Sequence, residues 1–254
     1  MKLGFIGSGE ITKAVVRGIT KSKINYKKIL ISKRNNKTSS YLKKINKKVK
    51  ISGNNQHIID NSDWIFLAIT PSVGKKILRK LKFKNNKIII SFISTIKLKD
   101  LKILTNTNAT IVRAIPLPPI SIAKGPIPLF PKNKKVTKFF NNIGESIEIN
   151  DENSSFNFWA TSSLMASYYE LLHEVSKWLQ KKGLKKSHAQ KYVVSLFSAL
   201  SDAAVMRSNK DLKLLVRTSQ TPKGLNEETL KFLKKKGFYK QINFSLEKIL
   251  KRLK

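Results

Sequence analysis

The sequence predicts an α/β fold, in which an N-terminal doubly wound parallel sheet is followed by an all-α C-terminal region. In the N-terminal part, short apolar segments alternate with helix-like segments, as they do when crossover helices join parallel strands. From about residue 153 the strand-like segments stop, and long apolar segments with helical periodicity replace them. We therefore expect a sheet domain over residues 1–152 and a helical domain over 153–254.

The first predicted strand and its turn carry the most specific local pattern. The apolar run over 3–6 ends in Gly7-Ser8-Gly9, and a helix-like segment follows at once. This context is typical of a Rossmann-type dinucleotide site, because the glycines permit a sharp turn and a close approach of backbone N–H groups to a pyrophosphate. Thr12 stands where the fingerprint has Gly or Ala, so we expect looser helix–strand packing there. The alternative is an ordinary tight turn between a strand and a helix.

The end of the second predicted strand, over 26–32, is where a Rossmann unit selects its cofactor. A carboxylate at this position binds the ribose 2′-OH of NAD. This chain has Ser32, Lys33 and Arg34 instead, with no carboxylate in reach. A hydroxyl and two cations suit a 2′-phosphate, so we expect NADPH to be preferred, with NADH as the alternative. Lys33 and Arg34 could instead be ordinary surface cations of a lysine-rich chain.

The remaining elements follow in the order expected of a doubly wound sheet. We predict a helical turn over 57–60, a helix over 72–81, and strands over 49–52, 63–69, 88–92, 110–115, 125–131 (as an edge strand) and 145–149. Ligands of such sheets bind outside the carboxyl ends of the strands. This rule predicts that Ala68, Ile69, Thr70 and Pro71, together with the segments 93–96 and 114–119, line the cofactor or substrate site.

The C-terminal region is predicted to be helical and strongly apolar. Residues 154–182 have the pattern of one long helix with apolar side chains on nearly every face. One small sheet domain cannot cover such a helix, so we favour a subunit interface over a buried core helix. Ser187–Gln190 has the pattern of a capping box that begins a second helix, and further helices are predicted from 211 and from 225.

A polar loop over 218–226 leads into one of these helices. It places Thr221, Gly224 and Asn226 near a helix N-terminus, where N–H groups and hydroxyls bind carboxylates. The alternative is that Thr221 or Asn226 only caps the helix.

The net charge of +36 is typical of proteins that bind nucleic acid, so nucleic acid has to be considered as a partner. Only seven of the 51 basic residues are arginine, and the lysines are spread along the whole chain. We therefore predict no specific nucleic-acid partner, and a basic nucleic-acid-binding module is the alternative from another functional class.

No segment has the length of a membrane span or of a signal-peptide core, so we expect a cytoplasmic protein without a membrane partner. The chain has no cysteine and no cluster at metal-ligand spacing, so we expect no metal.

Four segments together resemble the pyrroline-5-carboxylate reductase family. Gly4–Gly9 resembles the start of that family, and Leu67–Pro71 resembles its Leu-Ala-Val-Lys-Pro motif. Ile111–Pro116 is similar to Val-Val-Arg-x-Met-Pro, and Thr221–Gly224 is similar to the first part of Ser-Pro-Gly-Gly-Thr-Thr. The order of these segments is that of the family, and the resemblance covers nearly the whole chain.

The resemblance implies an NAD(P)H-dependent reductase of a cyclic imine, chiefly of 1-pyrroline-5-carboxylate to L-proline in proline biosynthesis. It implies a homodimer or larger homo-oligomer, formed through the helical domain. The implied cofactor-binding residues are Gly7, Ser8, Gly9, Glu10, Ile11, Ser32, Lys33, Arg34, Ala68, Ile69, Thr70 and Pro71. The implied substrate-binding residues are Pro116, Ser162, Thr221, Gly224 and Asn226, of which Thr221 and Asn226 are the catalytic candidates.

Several positions depart from the family pattern. Thr70 stands where lysine is usual, and Leu117 stands where the family has asparagine. Lys223 replaces a glycine, and Leu225 and Asn226 replace two threonines. A related NADP-dependent oxidoreductase or imine reductase with a different substrate is therefore the alternative within the same class.

Overall fold

The computed structural model describes residues 1–207, 209 and 211–254. Two compact units make up the chain: Met1–Trp159 with Leu253–Lys254, and Ala160–Arg252. The first unit contains the sheet and the second is helical. Our domain limits, 1–152 and 153–254, stay a prediction.

The first unit alternates strands with helices. Its strands are Lys2–Ile6 (β1), Lys28–Ser32 (β2), Val49–Ser52 (β3), Trp64–Leu67 (β4), Ile88–Ser91 (β5), Thr110–Ala114 (β6), Pro126–Phe130 (β7) and Glu145–Glu148 (β8). Its helices are Glu10–Lys21 (α1), Asn36–Ile45 (α2), Asn55–Asp60 (α3), Pro71–Ile77 (α4), Leu98–Thr105 (α5) and Lys134–Phe140 (α6), with short 3₁₀ turns at Leu78–Lys80 and Pro118–Ile122.

The eight strands form one sheet in the order β3-β2-β1-β4-β5-β6-β7-β8. All neighbours are parallel except β6 and β7, which are antiparallel. The strand order reverses between β1 and β4, and ligands of doubly wound sheets bind at such a reversal. The predicted α/β class is confirmed. The strand order itself indicates that a ligand site lies at the carboxyl ends of β1, β2 and β4.

Apolar side chains cover both faces of the sheet, as a doubly wound fold requires. On one face, Leu3 and Phe5 belong to a core with side chains of α1 and α6. On the other face, Ile6 belongs to a second core with side chains of α3 and α5. The rings of Phe5 and Phe66 stack with centroids 4.4 Å apart, so neighbouring strands are also joined by aromatic packing.

The prediction that the 125–131 strand lies at the edge was wrong. β7 lies between β6 and β8, and β8 forms the edge. The carbonyls of Gly125 and Leu129 accept from the amides of Glu145 in β8 and of Ile149 just after it, so the alternate residues Pro126 and Pro128 direct their backbone nitrogens away from β8. On that side β7 pairs with β6 at only two residue pairs, so the missing proline N–H groups leave little of the ladder unformed.

The second unit is formed by helices. Ser154–Ser162 (α7) begins in the first unit and ends in the second. The later helices are Leu164–Lys181 (α8), Lys186–Val205 (α9), Leu212–Thr218 (α10), Leu225–Lys235 (α11) and Phe238–Leu253 (α12).

The predicted single helix over 154–182 was wrong, because it is interrupted at Ser163. Both the amide and the hydroxyl of Ser163 donate to the carbonyl of Ala160, at 3.0 and 2.6 Å. This local bonding competes with the regular helical hydrogen bonds and separates α7 from α8.

The predicted capping box at Ser187 was also wrong. The second long helix begins at Lys186, with Lys185 as its N-cap and no side-chain cap hydrogen bond. Gly183, with φ +94°, ends α8 in a tight turn, so α9 starts before Ser187 and that residue lies within the first turn.

Large apolar side chains are exposed along α8 and α9. They are Met165, Tyr168, Tyr169, Leu171, Trp178, Tyr192, Val194, Leu196, Leu200 and Val205. Among the described residues of α9, only Ala189 and Val193 are buried. A surface of this kind is typical of a face that another chain covers. Across the described residues, none of the helices is both long and apolar enough to cross a membrane.

Candidate functional site

The turn after β1 has the geometry of a phosphate-binding turn. Gly7 has φ +109°, and a Cβ atom there would collide with the carbonyl oxygen of Ala68. Gly9 is the N-cap of α1, and a Cβ atom there would meet nothing within 4 Å. Thr12 is fully buried, and its Oγ1 donates to the Gly7 carbonyl at 2.8 Å. The hydroxyl of Thr12 therefore stabilises the turn in which we expected a looser fit.

Two buried serines connect this turn to the end of β2. The amide of Gly7 donates to Ser32 Oγ at 2.9 Å, and the amide of Asn35 donates to Ser8 Oγ at 2.8 Å. Asn35 is in turn the N-cap of α2, and its side chain accepts from the amide of Thr38. The hydroxyl of Ser32 thus orients the glycine turn, a role that the sequence did not predict.

Two adjoining grooves open at these strand ends. The glycine groove has a volume of about 470 Å³ and is lined by Gly7, Ser8, Gly9, Arg34, Asn35, Asn36, Ala68, Ile69 and Thr70. The cation groove has a volume of about 660 Å³ and is lined by Ile6, Gly7, Ser32, Lys33, Arg34, Asn36, Gly53, Asn55, Ile69, Val73, Lys76 and Ile77. The grooves share four residues, so they form one continuous surface.

The charged side chains described in the lining of the cation groove are all positive. Lys33, Arg34 and Lys76 line it, and no carboxylate of the described chain does. None of the three cations forms an ion pair with a described acidic side chain. The groove therefore has cationic groups available for an anionic ligand.

These residues fit a dinucleotide. The open space at Gly9 and the start of α1 can accept a pyrophosphate, and the cation groove can accept an adenosine with its phosphate. Glu10 is exposed and pairs with Lys13 at 3.3 Å, so only its backbone amide is suited to a phosphate. Ile11 is partly buried against the core. Pro71 begins α4 directly after Thr70 and is absent from the lining of both grooves.

Seven residues that line the cation groove were not predicted from the sequence. They are Ile6, Asn36, Gly53, Asn55, Val73, Lys76 and Ile77. The strand-end rule, applied to β3, could have indicated Gly53 and Asn55. Val73, Lys76 and Ile77 lie at helical spacing in α4, but the sequence does not show which face of α4 is directed to the groove.

Arg113, at the carboxyl end of β6, is buried in the first unit. Its Nη1 donates to Glu152 Oε1 at 2.7 Å and to Ser155 Oγ at 3.0 Å, and its Nη2 donates to the Ser94 carbonyl at 2.6 Å. Burial lowers the pKa of the guanidinium, while the carboxylate of Glu152 opposes that change. Its contacts lie within the protein, so Arg113 connects β6 to the start of α7.

The predicted substrate loop lies in the second unit. Gly224 is the N-cap of α11 and lies against the side chain of Thr221. Asn226 Nδ2 donates to the Ser219 carbonyl at 2.8 Å, and the amide of Lys223 donates to Glu227 Oε2 at 2.7 Å. The hydrogen bond from Lys231 and then that from Lys223 lower the pKa of the Glu227 carboxyl. Thr221, Gly224 and Asn226 are therefore together in one compact loop.

The two other predicted substrate contacts lie in different units. Pro116 follows β6 and is buried in the first unit. Ser162 is the last residue of α7 and lies in the second unit. Within the described parts of the chain, no three potential metal-ligating side chains form a group.

Two family models match the chain, one in each unit. Residues 2–95 match the model described as NADP oxidoreductase coenzyme F420-dependent. Residues 158–254 match the model described as pyrroline-5-carboxylate reductase dimerisation. The first match includes both grooves, and the second includes the loop that holds Thr221 and Asn226.

Curated relatives extend over most of the chain. A pyrroline-5-carboxylate reductase of Haemophilus influenzae is 24% identical over 87% of this chain and 84% of its own length. Pyrroline-5-carboxylate reductase 2 of Bacillus subtilis is 21% identical over 99% of this chain and 93% of its own length.

Solved structures share the fold. The 1-pyrroline-5-carboxylate reductase of Streptococcus pyogenes has a TM-score of 0.84 at 20% identity and covers 100% of this chain and 98% of its own. The Plasmodium falciparum pyrroline carboxylate reductase, solved with NADP bound, has a TM-score of 0.85 at 22% identity and covers 100% and 97%. Both family models and the curated relatives show that the chain belongs to the pyrroline-5-carboxylate reductase family of oxidoreductases, whose fold the solved structures share.

Proposed function

We propose that this protein reduces 1-pyrroline-5-carboxylate to L-proline, with NADPH as the preferred reductant, and so acts in proline biosynthesis. The observation that carries the proposal is the continuous pair of grooves at the strand reversal, with an open glycine turn at one end and three cations at the other. The curated relatives that bear this reductase name support the substrate. The NADP oxidoreductase family model supports the cofactor.

The chain's own residues would bind and orient rather than exchange protons. Gly7, Gly9 and the amides at the start of α1 would hold the pyrophosphate, and Lys33 and Arg34 would hold the 2′-phosphate. The reduced nicotinamide supplies, when bound, the hydride for the ring C=N carbon of the substrate in its iminium form, whose nitrogen already carries the proton. Reduction of an imine depends chiefly on orientation of the two reactants, which agrees with grooves whose described lining contains no carboxylate and no histidine.

The loop at α11 would bind the substrate. Backbone N–H groups at the start of α11 suit the carboxylate of the imino acid, and Thr221 with Asn226 would face its ring nitrogen. Asn226 already donates one hydrogen bond to Ser219, which leaves its second amide hydrogen and its Oδ1 for a ligand.

One observation favours a different imine as the substrate. Leu225, which replaces a threonine of the family pattern, is 83% exposed at the first position of α11. An exposed apolar side chain beside the proposed carboxylate site would suit a larger or more apolar ring. A related imine reductase is therefore the second candidate.

Steady-state oxidation of NADPH with a panel of imines tests both candidates. The panel contains 1-pyrroline-5-carboxylate, its six-membered homologue, and the same rings without the carboxylate. We expect the highest kcat/KM for 1-pyrroline-5-carboxylate, with L-proline identified by chiral chromatography. A higher value for the six-membered or uncharged rings would favour the second candidate, and no turnover with any imine would contradict both.

A further inference from the structure

We propose that Lys76, in the last turn of α4, determines cofactor specificity by contacting the 2′-phosphate of NADP(H). This inference rests on the proposed function, because it concerns the same nucleotide site. Lys76 lines the cation groove from the α4 side, whereas Lys33 and Arg34 line it from the end of β2. β1 pairs with β2 on one side and with β4 on the other, so cations approach the groove across the width of β1.

The surroundings of Lys76 are suited to an anion. Apart from the cations Lys33 and Arg34, the other polar side chains that line the cation groove are Ser32, Asn36 and Asn55, none of which is charged. Lys76 is exposed and forms no ion pair with any acidic residue in the described ranges. A ligand phosphate would therefore meet no competing carboxylate of this chain at the groove wall.

Apolar side chains line the cation groove beside Lys76. Ile69, Val73 and Ile77 are partly buried and line the same groove. A purine ring can pack against such side chains, and Lys76 lies between Val73 and Ile77 in α4. The cation is thus on the helix whose apolar side chains form the wall for the base.

The neighbouring Lys75 provides a matched control. Lys75 and Lys76 both lie in the last turn of α4, and both are exposed, so both interact favourably with the helix dipole. Only Lys76 lines the groove. A difference between equivalent substitutions of the two therefore reports contact with the ligand, because the changes in net charge and in helix electrostatics are shared.

The test measures binding by calorimetry, without turnover, for NADP⁺, NAD⁺ and 2′,5′-ADP. The variants are Lys76→Gln, Lys75→Gln and Lys76→Arg, with thermal unfolding as the control for folding. We expect Lys76→Gln to weaken NADP⁺ and 2′,5′-ADP by about fivefold, the upper range for an exposed charge pair, and to leave NAD⁺ within about twofold. Lys75→Gln is expected to change none of these affinities, and Lys76→Arg to retain most of the NADP⁺ affinity.

Three outcomes would overturn the inference. Equal weakening of NADP⁺ and NAD⁺ would place Lys76 against a part of the ligand that both share. Equal effects of Lys75→Gln and Lys76→Gln would reduce the role of Lys76 to general electrostatics. Normal NADP⁺ affinity in Lys76→Gln would leave the proposed function intact and remove Lys76 from it. If the wild-type protein binds no nicotinamide nucleotide, the proposed function fails together with the inference.

Discussion

The hydroxyls of Ser8 and Ser32 each accept a hydrogen bond from a backbone amide across the β1–β2 boundary. Both side chains are buried, and each satisfies an amide that would otherwise lack a partner in the strand ends. At the scale of single residues, the serines therefore shape the groove, while Lys33 and Arg34 stay exposed to a ligand.

The two roles of Ser32 can be separated by substitution. Because the hydroxyl orients the Gly7 amide, Ser32→Ala should weaken NADPH and NADH by similar factors, about 5- to 20-fold, as one buried hydrogen bond is lost. Calorimetric titration of both cofactors measures this, with Ser40→Ala, an exposed serine of α2, as the control. A loss confined to NADPH would mean that Ser32 instead contacts the 2′-phosphate.

Arg34 lines both grooves and has no carboxylate partner among the described residues. Arg34→Ala should raise the KM for NADPH by about tenfold and that for NADH by less than about twofold, because only NADPH loses a charge-assisted contact. The control is Lys37→Ala, which removes an exposed cation of α2 that lines neither groove. Equal effects of Arg34→Ala on both cofactors would contradict the preference for NADPH.

At the scale of elements, β1, β4 and β5 were predictable because each contains a short apolar run that is followed by a glycine, proline or polar residue. β3 and β8 were predictable because polar and apolar residues alternate along them. The glycine turn was predictable for the same reason, since Gly7 and Gly9 are needed by local geometry. Sequence proximity does not reveal which distant side chains share a groove. Lys76 and Val73 therefore became visible as groove residues only in the structure.

Two of the wrong predictions, the edge position of β7 and the single helix over 154–182, depend on which hydrogen bonds form in the folded protein. Prolines in β7 indicated an edge strand, but their missing N–H groups face the short pairing with β6. Ser163 has an ordinary helical neighbourhood in sequence, and its bonding to Ala160 interrupts the helix. Neither outcome follows from residue propensities alone.

Arg113 shows how a buried ion pair connects two elements. Arg113→Met removes the partner of Glu152 and three hydrogen bonds, and we expect the free energy of unfolding to fall by about 3–5 kcal/mol. Adding Glu152→Gln should restore part of this loss, because the unpaired carboxylate is removed. Urea unfolding provides the measurement, and Lys13→Met, in an exposed pair, should cost less than about 1 kcal/mol. A similar cost for Arg113→Met would exclude a structural role for the buried pair.

At the scale of the whole molecule, the second unit exposes more apolar surface than a lone chain normally presents. The match of 158–254 to a dimerisation model supports a homo-oligomer. We expect light scattering to show a dimer or a larger assembly at micromolar concentration, and Leu200→Glu to shift it toward the monomer. Leu200 is 58% exposed, and the control Ile103→Glu changes a similarly exposed side chain of α5. A well-folded wild-type monomer would contradict this prediction.

The net charge of +36 gives the whole molecule a general attraction for polyanions. Because the lysines are spread along the chain, we expect binding to DNA and RNA to weaken steeply with salt and to show no sequence preference. A salt titration by fluorescence anisotropy measures both properties. Sequence-selective binding that persists at physiological salt would favour the alternative of a nucleic-acid-binding module.

The hydrogen bonds from the amide of Gly7 to Ser32 and from the amide of Asn35 to Ser8 join groups of the protein itself. The glycine turn is therefore held in shape before a nucleotide arrives, and little ordering entropy remains to oppose association. For a rigid, positively charged groove, encounter rates are set largely by long-range attraction and change little between variants of the site. Differences in affinity among such variants should therefore appear as differences in how long the nucleotide stays bound.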